Sequence, residues 1–150
     1  MTNSPTQSER YRDAYHEAGH AVVGWALGLS IGRVWLKEDG GGSAEVETCA
    51  HLSPVDQTAI CFGGWAGAEL SGVAETHDLE NLSDEGCALN IGAEVFPDDD
   101  EAQAILRQQG IQRAQDLLKG REAQLRLIAE ELNKRGELGP GEIARLLGRP

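Results

Sequence analysis

The stretch Tyr11-Arg12-Asp13-Ala14-Tyr15-His16-Glu17-Ala18-Gly19-His20-Ala21-Val22 carries two patterns at once. Tyr11, Tyr15, Ala18 and Val22 recur at three- and four-residue intervals, the period of one helix face. Within that helix, His16-Glu17-Ala18-Gly19-His20 is an HExxH motif. Thr6 and Glu9 upstream have capping-box spacing, and Gly28 offers a stop. Imidazoles four residues apart lie one above the other on a helix and reach a single cation. Glu17 falls about 100° round the axis from His16, beside that cation rather than on it. There its carboxylate can hold a water and take its proton, and zinc lowers the pKa of a bound water to about 7. The competing reading is a chance pentapeptide, which about one in a few hundred chains of this length would carry.

Outward from the motif, the pattern is mostly helical. Residues 33–37 and 44–48 alternate (Val34 and Leu36, then Ala44 and Val46) around Asp39-Gly40-Gly41-Gly42-Ser43, which predicts one hairpin with a long loop. Ser53-Pro54 opens a second helix. Its Gly63, Gly64, Ala66, Gly67 and Ala68 call for a neighbour packed against its backbone. A third helix is expected from near Asp78 through Leu79, Leu82, Gly86, Leu89 and Ala93 to Phe96, with Pro97 ending it. The next helix sets Ala102, Ile105, Leu106, Ala114, Leu117 and Leu118 on one face, weakened but not broken by Gly110. Leu125, Ile128 and Leu132 form another stripe, and Gly139-Pro140 starts a terminal helix with Ile143, Leu146 and Leu147. The expected fold class is mainly α (α+β) with one small β-hairpin. Residues 1–9 read as a flexible N-terminal segment and residues 10–150 as one domain without internal repeats.

Composition narrows the function. A net charge of −12 speaks against nucleic acid and anionic membranes as partners, since a phosphate-reading surface needs clustered Lys and Arg. Cys49, Cys61 and Cys87 are an odd, sparse set without CxxC spacing, which argues against a disulfide scaffold and for a reducing compartment. No apolar run approaches the roughly 20 residues that cross a bilayer, and the polar first residues lack a signal-peptide core. The expectation is a soluble, cytoplasmic protein.

A catalytic zinc needs a third protein ligand and an open position. The metzincin solution would require glycine and histidine where Val23 and Ala26 stand, so that class is excluded. His51, His77, Asp78, Glu69, Glu75, Glu80 and the cysteines remain as donors, and periodicity does not choose among them. His77-Asp78 is the most suggestive pair because it falls at a helix start. Cys49 and His51 fall at a strand end. Glu69 reads better as a buried carboxylate steering a site histidine than as a ligand. Asp98-Asp99-Asp100-Glu101 reads as acids facing a helix N-terminus rather than a calcium patch. Trp25, Trp35 and Trp65 read as core or groove wall.

The segment Ala14-Tyr15-His16-Glu17-Ala18-Gly19-His20-Ala21-Val22-Val23 resembles the zinc-binding helix of the FtsH-type ATP-dependent zinc metalloproteases. The family's peptidase domain continues with a short hairpin, a helix reading LGGRAAEEL, and an aspartate followed by a helix. Here the hairpin is followed by Phe62-Gly63-Gly64-Trp65-Ala66-Gly67-Ala68-Glu69-Leu70 and Thr76-His77-Asp78-Leu79-Glu80. Ala114-Gln115-Asp116-Leu117-Leu118, residues 121–132 and Leu138-Gly139-Pro140-Gly141-Glu142-Ile143 are similar in order and spacing to the family's last helices. The likeness spans roughly residues 10–147, with HEAGH its specific element. It implies a helical, zincin-like peptidase domain in which zinc is held by His16, His20 and Asp78, with Glu17 as catalytic base. It also implies a substrate strand added to a sheet edge near the hairpin, and it hints at a homo-oligomeric ring. Two departures stand out. The family's TGAxxD is replaced by Ala74-Glu75-Thr76-His77-Asp78, so His77 competes for the third position. The chain also has no GxxxxGK[ST] phosphate loop, so a separate AAA-type ATPase would be the source of any unfolding.

Three functions follow as expectations. The first is a zinc metalloendopeptidase hydrolysing peptide bonds of unfolded polypeptides. The second is a degenerate peptidase-fold module acting as an adaptor or peptide binder. The third is a zinc hydrolase of another substrate. Glu17 favours an enzyme, because a structural metal site has no need of a base and is closed by four protein ligands.

Overall fold

The Thr6 hydroxyl accepts the backbone N–H of Glu9 at 3.1 Å and starts α1 (Gln7–Ala26). The spacing read as a capping box is thus an N-cap, and the helix begins inside the stretch 1–9 expected to be flexible. The computed structural model describes residues 4–75 and 79–150, with the backbone alone for 79–81. Past the C-cap Leu27, Gly28 takes φ +86°, a conformation that glycine adopts without a Cβ penalty.

β1 (Ile31–Leu36) and β2 (Gly42–Val46) follow as an antiparallel pair, with Val34 opposite Ala44 and Leu36 opposite Gly42. Then come α2 (Pro54–Glu69), α3 (Leu79–Val95), α4 (Asp100–Lys119), α5 (Glu122–Arg135), β3 (Glu137–Leu138) and α6 (Pro140–Leu147). The fold is mainly helical, as the periodicity indicates. The sheet, however, is larger than one hairpin: β3 pairs antiparallel with β1, setting Val34 opposite Leu138 in the order β2-β1-β3. β1 is therefore covered on both edges, and β2 lies at one edge of the sheet.

Glycines set the spacing of the helices. A Cβ on Gly19 would lie 2.1 Å from the Gly63 carbonyl oxygen, and one on Gly67 would lie 2.5 Å from that of Tyr15. α1 and α2 thus cross backbone to backbone, the close neighbour that the glycine content of α2 calls for. The same device explains Gly110 in mid-helix: a Cβ there would meet Thr58 Cγ2 at 2.2 Å, where α4 packs on α2. Among the described residues, Leu118, Leu125, Ile128, Leu132, Leu138 and Ile143 are the largest fully buried side chains. Burying each stabilises the fold by about 1.5–3 kcal/mol relative to exposure.

Two helices differ from the sequence pattern in the face they bury. On α4, Leu106, Ala114, Leu117 and Leu118 point inward, but Ile105 is exposed. On α3, Ala88 is buried and Ile91 packs against the core, while Leu82, Leu89 and Phe96 face outward. Among the described residues, no helix is long and apolar enough to cross a membrane.

Candidate metal centre

α1 delivers two imidazoles to one point. His16 Nε2 and His20 Nε2 are 3.2 Å apart, and Oδ2 of Asp84, from α3, lies 3.0 Å from the first and 3.1 Å from the second. Ligands held 2.0–2.1 Å from a tetrahedral zinc are separated by an edge of about 3.3 Å. The three donor atoms therefore already stand at the spacing that such an ion requires. His16 is buried, and His20 and Asp84 are half-buried.

The surroundings fit the same role. His20 Nδ1 lies 2.9 Å from the Ile60 carbonyl oxygen, to which it donates, leaving Nε2 turned to the donor set. This is the backbone contact that commonly orients a metal-binding imidazole. Below the pair, α2 presents bare backbone at Gly64. A Cβ there would lie 2.4 Å from Nε2 of both His16 and His20, so the cradle exists because residue 64 has no side chain. Two nitrogens and a carboxylate oxygen, with no thiolate, are a donor set suited to zinc.

The electrostatics are those of a site balanced by protons. Burial penalises charge on His20, yet the hydrogen bond to Asp84 and the charges of Asp84 and Glu17 outweigh it and raise its pKa to about 9. For Asp84, burial again opposes the charge, but hydrogen bonds from His16 and His20 outweigh it and hold the pKa down to about 2. Each partner keeps the other ionised.

Glu17 follows His16 on α1, is only 3% exposed, and stands outside the converging group. The turn of the hairpin closes over it: a Cβ on Gly42 would lie 2.8 Å from Glu17 Cγ. Asp13 Oδ2 accepts the Gly41 N–H at 2.9 Å and ties that turn to α1. One turn before His16, the buried Arg12 donates to the carbonyls of Ala68 (3.1 Å) and Val73 (2.5 Å) and to Glu69 Oε1 (3.1 Å). Arg12 therefore fastens the end of α2, and the chain leading from it, to the histidine helix.

His16, His20 and Glu17 stand where the motif puts them. Asp78, the implied third ligand, and its rival His77 lie outside the described residues, as does the side chain of Glu80. Asp84 takes the third position in the described group, a donor that the sequence pattern does not single out. It lies on the inward stripe of α3 with Ala88 and Ile91, so a carboxylate in register with buried positions was the available signal. Glu69 is neither a ligand nor a buried carboxylate steering a histidine: its side chain is 51% exposed and paired with Arg12, because α2 ends there and turns it to solvent. Glu75 lies 3.9 Å from Arg12, His51 is exposed, and Cys49 stands outside the histidine group. Cys61 is buried and Cys87 exposed, and the three cysteines are free thiols. Trp25 is core, donating from Nε1 to the Gly148 carbonyl at 2.9 Å, and Trp35 lies under the Arg33 guanidinium at 4.2 Å. Asp99 caps α4 through the Ala102 N–H, in keeping with its reading as an acid at a helix start. No protein-family model matches the chain, and no curated protein matches it.

Proposed function

We propose that this protein is a zinc-dependent endopeptidase acting on unfolded polypeptide, with the metal held by His16 Nε2, His20 Nε2 and Asp84 Oδ2. The observation that carries the reading is the approach of these three atoms to 3.0–3.2 Å of one another with the buried Glu17 beside them. When bound, zinc supplies a Lewis acid that polarises a carbonyl and lowers the pKa of a water to about 7. Glu17 accepts a proton at its carboxylate and returns it to the leaving amine. His20 is held in register by Ile60, and the hairpin turn at Gly41 and Gly42 shields Glu17 from bulk water. β2 is an edge strand whose first residue abuts Glu17, so an extended substrate added to that edge would run past the base. The resemblance of the HEAGH segment to the FtsH-type peptidases supports the same reading, and with it a separate AAA-type ATPase and a homo-oligomer as partners. The free thiols support a reducing, cytoplasmic setting.

The test is cleavage of one substrate in its folded form and in a permanently unfolded variant, with and without chelator and ATP. We expect the zinc-loaded protein to cut only the unfolded form, to lose activity to chelator and to ignore ATP. Cleavage of neither form by fully loaded protein would turn the reading to an adaptor that binds peptides.

A further inference from the structure

α3 carries a continuous apolar stripe on its outer side. Leu82 is 63% exposed, Leu89 57% and Phe96, just past the helix end, 38%. They are seven residues apart, so they share one face over about 21 Å. Gly86 and Ala93, also seven apart, lie between them, and a Cβ built on Gly86 would meet nothing within 4 Å. Large side chains alternating with gaps at heptad spacing are the surface that receives the knobs of a second helix. The face offers no free backbone donors, so an extended strand would gain nothing from it.

Charge identifies the kind of helix. Residues 79–101 hold eight carboxylates and no Lys, Arg or His. Four of them, Asp98 to Glu101, are clustered at the Phe96 end of the stripe. Arg107 of α4 reaches α3, but Glu85 engages it. A second copy of this chain pairing through α3 would bring acid against acid from molecules of net charge −12 each, with no α3 cation to offer. We propose that the outer face of α3 is a docking surface for an amphipathic helix of another protein, apolar at heptad positions and rich in Lys or Arg at the end that meets residues 98–101. On α3, Asp84 lies on the other side of the helix, so this surface is separate from the metal centre.

The probe is a labelled, designed helical peptide of about 18 residues with Leu at the seam and Lys at its flanks and one end, measured by fluorescence anisotropy. We expect saturable binding that weakens at high salt and falls at least tenfold when the lysines are replaced by glutamates. Leu82→Asp combined with Leu89→Asp adds negative charge and would tighten a merely electrostatic contact, so a tenfold loss in that variant assigns binding to the stripe. Gly86→Phe, which fills the gap while adding apolar surface, should weaken binding as well. Leu82 and Leu89 are exposed and a Cβ on Gly86 meets nothing, and unchanged thermal unfolding of the variants would exclude misfolding as the cause. Equal binding to wild type and the double variant overturns the proposal. So does a dimer in sedimentation that Leu89→Asp dissolves, which would make a second copy the occupant.

Discussion

His20 Nε2 lies 3.1 Å from Asp84 Oδ2, and the imidazole pKa is raised to about 9 while the carboxyl is held down to about 2. In the metal-free protein this pair behaves as an ion pair at neutral pH. His20 is raised, so its contribution to stability is full below the unfolded value near 6.5 and is lost as pH rises through about 9. Asp84 is lowered, so its share is present above about 3.8 and is lost as pH falls toward about 2. Thermal unfolding of the chelated protein should therefore weaken from pH 6.5 to 9, and His20→Ala should flatten that slope. A cation must also displace the His20 proton, so zinc affinity should rise about tenfold per pH unit up to about pH 9. Calorimetry in buffers of different ionisation enthalpy would count the proton, and a pH-independent affinity would contradict the assignment.

The third donor is tested by a pair of variants. Asp84→Ala should weaken zinc binding by about a hundredfold or more, since loss of even the contacts that orient a ligand costs 10- to 100-fold. Asp78→Ala should leave affinity near wild type. The reverse pattern, read by competitive metal titration, would make Asp78 the ligand.

Glu17→Gln keeps the shape of the side chain and removes its capacity to accept a proton. Zinc content should be unchanged and peptide cleavage should drop by about 10²- to 10⁴-fold. Because the Glu17 charge helps raise His20, the imidazole of the metal-free variant should titrate below about 9, a shift NMR can follow independently of activity.

Gly64→Ala adds one methyl to the floor of the site, 2.4 Å from both Nε2 atoms. The Cβ is anchored to α2 and cannot swing aside, so the imidazoles must move. Overpacking of this kind costs about 1–3 kcal/mol, and zinc affinity should fall with it. Gly86→Ala, where a Cβ meets nothing, is the matched control and should leave both unchanged or slightly raise stability.

Much of this arrangement is legible in the chain because local signals and tertiary packing agree. Thr6, Ser53 and Gly28 bound helices where capping chemistry says they should, and the small residues of α2 announce the close crossing with α1. Two elements escape for definite reasons. β3 is two residues long, too short to show alternation, and exists because β1 offers it an edge. Asp84 escapes because α3 carries two stripes. The more apolar one, through Leu82, Leu89 and Phe96, dominates the periodicity, while the inward one holds an acid, Ala88 and Ile91 and has the weaker signal. Hydrophobic period marks a helix without saying which of two candidate faces the rest of the chain will cover.

On the proposed function, the backbone floor at Gly64 bears on which metal the donor set would prefer. Two donors are fixed by the rigid meeting of α1 with α2, whereas the third arrives on α3 from a separate helix. Softness and charge of the ligand set can therefore be changed at position 84 alone. Cysteine there would shift the donor set toward softer ions and histidine would remove its negative charge, and either change also removes the carboxylate that holds the His20 proton. The donors fixed by the crossing of α1 with α2 and the one supplied by α3 thus lie on different helices, and position 84 is where the choice of ion would be retuned.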